Sequence, residues 1–233
     1  MSIAENVAIV RDQMAEAAVK AGREPGGILL CAATKMNGAD NVRQAVAAGV
    51  DACGENRVQE LLEKLPQGAY TGAPVHFIGH LQKNKARQVV GAVDLIESVD
   101  SPELLALIGR LARERGIRQD ILLEVNIGGE EAKSGAAPEA LAELAAAAAA
   151  DPGVRLRGLM AIPPVAEKPG ANRRYFEKMY QLYVDIKAKK YDNSVIDCLS
   201  MGMSGDFADA IAAGATMVRI GTAIFGARDY ARR

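Results

Sequence analysis

A chain of 233 residues is long enough for one barrel-sized domain or two small ones, and about half of it is apolar and a quarter charged, an ordinary globular balance. Its 28 basic and 29 acidic residues leave a formal net charge of −1, which argues against a general nucleic-acid or membrane-surface role. Aromatics make up only 4% and Trp is absent, so Ala, Leu and Val must fill the core. The cysteines Cys31, Cys53 and Cys198 lie far apart in apolar contexts and read as buried thiols rather than disulfides. Met1 to Lys20 mixes acids and bases with no apolar h-region, so a cytoplasmic chain without a signal peptide is expected.

Val7, Val10 and Met14 recur at helical spacing and predict an N-terminal helix ending near Gly22. Gly27 to Thr34 is an apolar run that reads as a strand covered on both faces, with Lys35 where it emerges. Asp40 is the expected cap of a helix carrying Val42 and Val46 and ending at Gly49. Val50–Gly54 is a second strand, tipped by Glu55-Asn56-Arg57. Val58, Leu61, Leu62 and Leu65 mark the face of the next helix. Val75–Gly79 is a third strand and Asn84–Gly91 a short helix. Asp94–Asp100 is a fourth strand, followed by Ser101-Pro102-Glu103, which opens a helix with Leu104, Leu107, Ile108 and Leu111 as its stripe.

Asp120–Asn126 is a fifth strand, and Pro138-Glu139 opens an alanine-rich helix to Ala150. Val154–Ile162 is a sixth, stopped by Pro163-Pro164. Phe176, Met179, Tyr180 and Tyr183 define a long helix. Ile196–Ser200 is a seventh strand, followed by a helix over Phe207–Ala213 with Ser204 as expected cap. Thr216–Gly221 is an eighth, and Thr222 starts the closing helix. Eight strands, each followed by a helix and preceded by one extra N-terminal helix, predict a single-domain α/β chain over 1–233, a (β/α)8 TIM barrel. A doubly wound open sheet would need a glycine fingerprint after a strand, and no G-x-G-x-x-G follows any of them.

Chemistry in such barrels gathers at the C-terminal strand ends. The polar residues there are Lys35, Asn56, His76, Ser98, Asn126, Ser200 and Arg219. An amine at the mouth of an apolar barrel is partly desolvated, which favours the neutral form that condenses with aldehydes. Ser200-Met201-Gly202-Met203-Ser204-Gly205-Asp206 and Arg219-Ile220-Gly221-Thr222 follow strands seven and eight, the usual phosphate position. Each glycine turn alone reads equally as a tight strand-to-helix loop. Together with the lysine they suit an aldehyde that carries a phosphate, pyridoxal 5′-phosphate. His76 and His80 straddle a strand end rather than share a helix face, so no metal pair is expected, and His76 reads as a hydrogen-bonded core histidine. Lys83, Lys85 and Arg87 form a basic cluster that reads as a solvated helix face or an anion contact.

Several segments carry a family resemblance: Ala33-Thr34-Lys35, Gly54-Glu55-Asn56-Arg57-Val58-Gln59-Glu60, His76-Phe77-Ile78-Gly79, Leu81-Gln82-Lys83-Asn84-Lys85 and Ser98-Val99-Asp100-Ser101. Glu131, Lys133, Gly135, Gly158-Leu159-Met160, Leu199 to Ser204 and Val218-Arg219-Ile220-Gly221 extend it. Across nearly its full length the chain resembles the pyridoxal phosphate homeostasis protein family, whose barrel is similar to that of alanine racemase (fold type III). Val75 stands where many members have Trp. The resemblance implies pyridoxal 5′-phosphate as cofactor, held as a Schiff base on Lys35. It implies that Arg219 faces the pyridine nitrogen and that Ser200, Gly221 and Thr222 hold the phosphate. Asn56, Met201 and Met203 would line the cofactor. It also implies a role in vitamin B6 and amino-acid homeostasis, with apo-enzymes as recipients, a monomeric state and no catalytic residues. The competing class is an amino-acid racemase of low activity. In racemases of this barrel the second base is a tyrosine from an extra β-domain of another subunit, and this chain ends at Arg233 directly after the closing helix, so no such domain is expected.

Overall fold

In the computed structural model, residues 1–130, 132–166, 168 and 170–226 are described. Among them, eight parallel strands close into one barrel in the order β1 to β8. These are β1 (Leu29–Ala33), β2 (Ala52–Glu55), β3 (Val75–Phe77), β4 (Leu95–Val99), β5 (Gln119–Val125), β6 (Val154–Ala161), β7 (Ser194–Ser200) and β8 (Met217–Ile220). Helix α1 (Ile3–Lys20) precedes them and buries Val7, Val10, Met14 and Ala18. The connections carry α2 (Ala39–Ala47), α3 (Val58–Lys64), α4 (Ala86–Val89), α5 (Pro102–Glu114), α6 (Leu141–Ala150), α7 (Arg173–Ala188) and α8 (Phe207–Ala212), and α9 (Thr222–Phe225) follows β8. The expected (β/α)8 barrel with its extra N-terminal helix is the observed architecture.

The strands read as continuous apolar runs because both their faces are covered. On β1, Leu30 and Ala32 pack outward against the helices, while Cys31 points into the barrel. On β5, Ile121, Leu123 and Val125 pack outward and Leu122 inward. The interior is filled by Cys31, Ala52, Leu95, Leu122, Met160 and Cys198, with Ile78 above them. The three cysteines are buried and free, as expected. Burial pushes the Cys53 thiol up to about 12, so it stays protonated and unreactive. The N-terminal end of the barrel carries an ion-pair network. Arg157 reaches Asp120 at 2.7 Å and Asp197 at 2.6 Å, and Arg155 joins Asp120 at 2.6 Å.

The helix faces differ from the sequence expectation at particular points. Gly38 holds the N-cap of α2, and Asp40 sits inside its first turn, where it pairs with Arg43 and faces the helix dipole. Asp206, not Ser204, occupies the N-cap position of α8. On α3 the inner face is Val58, Leu61 and Lys64, whereas Leu62 is 41% exposed. On α7, Tyr180 is turned outward while Phe176, Met179 and Tyr183 are buried. Positions three and four apart define a stripe, but the strand beneath decides which edge of it is covered.

Candidate functional site

Strand β1 ends at Ala33, and the next two residues turn Lys35 toward the barrel mouth. That turn is held from behind by α3. Lys64, buried despite its charge, donates to the Thr34 carbonyl at 3.0 Å, to Glu55 Oε1 at 2.7 Å and to Glu60 Oε2 at 3.2 Å. Glu60 Oε2 accepts the Met36 N–H at 2.7 Å. Thr34 Oγ1 and Tyr70 Oη both donate to Glu55 Oε1, Tyr70 at 2.9 Å. Burial beside Glu55 keeps the Tyr70 hydroxyl protonated. Both neighbours of Lys35 are therefore fixed by one buried network. It also holds Met36 at φ 62°, a left-handed conformation that costs a non-glycine residue about 1–3 kcal/mol.

A second network lies under the mouth. Arg219, 3% exposed on β8, donates from Nη1 to Ser200 Oγ at 2.6 Å and from Nη2 to the Ala161 carbonyl at 2.9 Å. Ser200 Oγ in turn donates to Glu97 Oε2 at 2.6 Å, and Glu97 Oε1 meets His76 Nδ1 at 2.8 Å. Burial alone would raise the Glu97 pKa. The His76 hydrogen bond, with the charges of His76 and Arg219 and the Ser200 hydroxyl, outweighs it and holds the carboxyl below its usual value. His76 is thus a hydrogen-bonded core histidine. Cys31, His76 and Glu97 bring ligand-type atoms within 4.8 Å of one another, but Glu97 is taken up by the bonds just described. His80 is largely exposed, 3.6 Å from Asp100, and forms no pair with His76.

Above this network opens a cavity of about 220 Å³, lined by Lys35, Asn56, Met203, Arg219, Gly221 and Thr222. Six of the eight cofactor-binding residues expected from sequence meet there. Two do not. The Ser200 hydroxyl is fully buried between Glu97 and Arg219, because the inward position of β7 puts it below the mouth. Met201, one residue on, faces outward and is fully buried in the core between barrel and helices. Ser204 and Gly205 line the cavity instead, and Ser204 Oγ accepts the Ala223 N–H at 3.4 Å. They were legible as part of the Ser200–Asp206 glycine turn, though not as lining residues. Of the other strand-end residues, Asn126 ties down its own loop through Glu130 and Lys133 carbonyls. Lys83, Lys85 and Arg87 sit in and just after a 3-10 turn that leads into α4. Glu131 and Tyr230 lie outside the described residues.

The lining suits pyridoxal 5′-phosphate. Asn56 Oδ1 is buried and has no hydrogen-bond partner among the described residues, a cost of about 1–3 kcal/mol that a bound group would relieve. The donor set joins an amine, a guanidinium and two hydroxyls around one small cavity.

Residues 2–229 match the family model for the alanine racemase N-terminal domain. The pyridoxal phosphate homeostasis protein of Pseudomonas aeruginosa is 44% identical over 232 residues, covering 98% of this chain and 97% of that one. The protein of the same name from Escherichia coli strain K12 is 44% identical over 238 residues, with 99% of both chains covered. Among solved structures, PipY of Synechococcus elongatus with PLP bound superposes with a TM-score of 0.85 at 33% identity, covering 97% of this chain and all of that one. An alanine racemase of Clostridium difficile superposes at 0.67 with 17% identity, a likeness of fold alone.

Proposed function

The chain belongs to the pyridoxal phosphate homeostasis protein family, and from that premise we propose that it binds pyridoxal 5′-phosphate in the Lys35 cavity and serves to hold and hand on the cofactor. The observation that carries this reading is the meeting of Lys35, Arg219 and Thr222 around one cavity at the C-terminal mouth of the barrel. Bound there, the cofactor supplies an aldehyde able to condense with the Lys35 amine. Lys35 is the covalent anchor in this reading, and the Glu55–Lys64 network orients it. Arg219 still has donors beyond the two used on Ser200 and Ala161, and in this reading it would donate to the ring nitrogen of the bound cofactor. A ring nitrogen kept unprotonated is a poorer electron sink, which restrains proton abstraction from a bound amino acid. Thr222, Gly221, Ser204 and Gly205 take the phosphate; the Ser200 hydroxyl, held between Glu97 and Arg219, positions the Arg219 guanidinium.

Titration of the purified protein with pyridoxal 5′-phosphate, followed by visible absorption, tests this reading. Pyridoxal without the phosphate should bind far more weakly, and Thr222→Ala should weaken retention by about 1–2 kcal/mol, roughly tenfold, for a charge-assisted hydrogen bond. Equal affinity for the two vitamers would reject the phosphate assignment.

The same proposal includes one domain over 1–233, a monomer, a cytoplasmic site of action and apo-enzymes as recipients. Among the described residues no helix is long and apolar enough to cross a membrane. Robust racemisation is not part of it. A racemase needs a base on each face of the substrate carbon. None of the described tyrosines lines the Lys35 cavity: Tyr70 is bound to Glu55, Tyr175, Tyr180 and Tyr183 lie on α7, and Tyr191 lies between α7 and β7. Incubation with L-alanine in deuterium oxide and chiral analysis should give no D-alanine at turnovers per second. Lys35-dependent D-alanine at that rate would make the protein a racemase.

A further inference from the structure

Beside the Lys35 cavity the barrel mouth holds a second cavity of about 560 Å³, lined by His80, Glu124, Ala132, Lys133, Ser134 and Ile162. Ile162 lines both, so the two adjoin. Glu124 is on β5 one residue before its end, on the same strand face as the inward Leu122, and is 4% exposed. Its Oε1 accepts from Ser134 Oγ at 2.9 Å. Its Oε2 is buried and has no hydrogen-bond partner among the described residues. A buried carboxyl oxygen without a donor is a standing cost to the fold, and such groups are rare unless a ligand completes them. Burial also raises the carboxyl pKa, with Asp100 adding to the effect and Ser134, Arg219 and His80 opposing it.

The surrounding loop is built, not incidental. Asn126 Nδ2 donates to the Glu130 carbonyl at 2.9 Å and the Lys133 carbonyl at 3.4 Å. The Ala136 N–H returns to the Glu124 carbonyl at 2.8 Å. Lys133 stands at the rim, where Nζ donates to the Pro163 carbonyl at 3.2 Å and pairs with Glu130.

We propose that this cavity is a subsite for a primary ammonium group that also carries a carboxylate, an α-amino acid, with Glu124 receiving the ammonium and Lys133 the carboxylate. The competing ligand classes fit less well. A free phosphate or other anion would face the Glu124 carboxyl. A divalent cation would find one carboxylate among the described lining residues, with the Lys133 ammonium at the rim. A zwitterion can set its ammonium against Glu124 and its carboxylate on the remaining Lys133 donor, beside the Glu130 pair. The wide cavity adds little discrimination between side chains, so the subsite selects the amino-acid class rather than one member. The inference deepens the proposed function, on which it rests for its purpose: it sets an amino acid beside the bound cofactor.

Ligand-observed saturation-transfer NMR on the full chain tests it, with cofactor-free and cofactor-loaded protein side by side and L-alanine, ethylamine and propionate as probes. L-alanine should bind the cofactor-free protein at least tenfold more tightly than propionate. Glu124→Gln, which keeps the shape of the side chain, should weaken L-alanine and ethylamine at least tenfold while leaving propionate unchanged. Equal binding of L-alanine to wild type and Glu124→Gln would overturn the subsite, as would propionate binding wild type as tightly as L-alanine. If the variant does not fold, the alanine-to-propionate ratio on wild type still decides. Failure of the wild type to take up pyridoxal 5′-phosphate would defeat the proposed function instead, and the cofactor-free measurement keeps the two failures apart.

Discussion

Borohydride reduction of the cofactor-loaded protein is expected to fix the cofactor to one peptide, the one containing Lys35, and Lys35→Ala is expected to remove the label and the visible absorption band together. The effect should be complete, because a covalent link is lost rather than a contact weakened. The argument is positional. Lys35 lines the small cavity at the C-terminal mouth, in company with Arg219 and Thr222. Its two neighbours in sequence are fixed through Thr34, Met36 and the Glu55–Glu60–Lys64 network, so its amine starts from a defined backbone. Lys64 and Lys133 are competing candidates among the described residues. Lys64 spends its donors on Thr34, Glu55 and Glu60 and is buried behind the strand. Lys133 belongs to the neighbouring cavities and is tied to Pro163 and Glu130. Mass spectrometry of the reduced digest gives the answer directly. A label on Lys133, with Lys35→Ala labelled as fully as wild type, would remove Lys35 from the site.

Glu97→Leu should produce the largest loss of stability, about 3–5 kcal/mol for removing one partner of a buried charge pair. For a chain of this size that corresponds to a fall in Tm of roughly 10 °C. Glu97 is fully buried and carries His76 on one oxygen and Ser200 on the other; through Ser200 it supports the Arg219 guanidinium, 3.9 Å from Oε2. Without it, Arg219 remains buried with its charge uncompensated. Glu97→Gln retains hydrogen-bonding atoms and should lose less. The pH dependence follows from the direction of the shift. The folded carboxyl lies below its ordinary value of 4.5, so the unfolded chain binds the proton more readily. Its contribution is therefore fully present above about pH 4.5 and is lost as pH falls through the lower, folded pKa. The Tm gap between wild type and Glu97→Gln should narrow as pH falls below that value. A gap that stayed unchanged well into acid would mean that the Glu97 charge does not stabilise the fold.

The alternation of apolar runs with amphipathic stretches determined the architecture by itself. Eight buried strands, each followed by a helix, leave few parallel arrangements, and barrel closure is the one adopted. The same reading determined that Lys35 and the Arg219–Thr222 turn share the C-terminal mouth, since parallel strands all end on one side. It also recognised the glycine turn after β7. Which side chains of that turn face the cavity was decided only by tertiary structure. Strand β7 directs Ser200 below the mouth, and Met201 packs away from it; Ser204 and Gly205 line the cavity. Local periodicity could not foresee Lys64 as a buried residue. It lies where a helix face would carry an apolar side chain, and its bonds to Glu55, nine positions earlier on another element, to Glu60 and to the Thr34 carbonyl make its burial tolerable. Glu97 and Ser200 are 103 residues apart in sequence and bond only because closure brings β4 and β7 inward to one axis. Hydrophobic pattern is a local property, carried by residues two to four apart. The pairing of buried charges is a property of the closed barrel, set by strand register, and has no local trace in the chain.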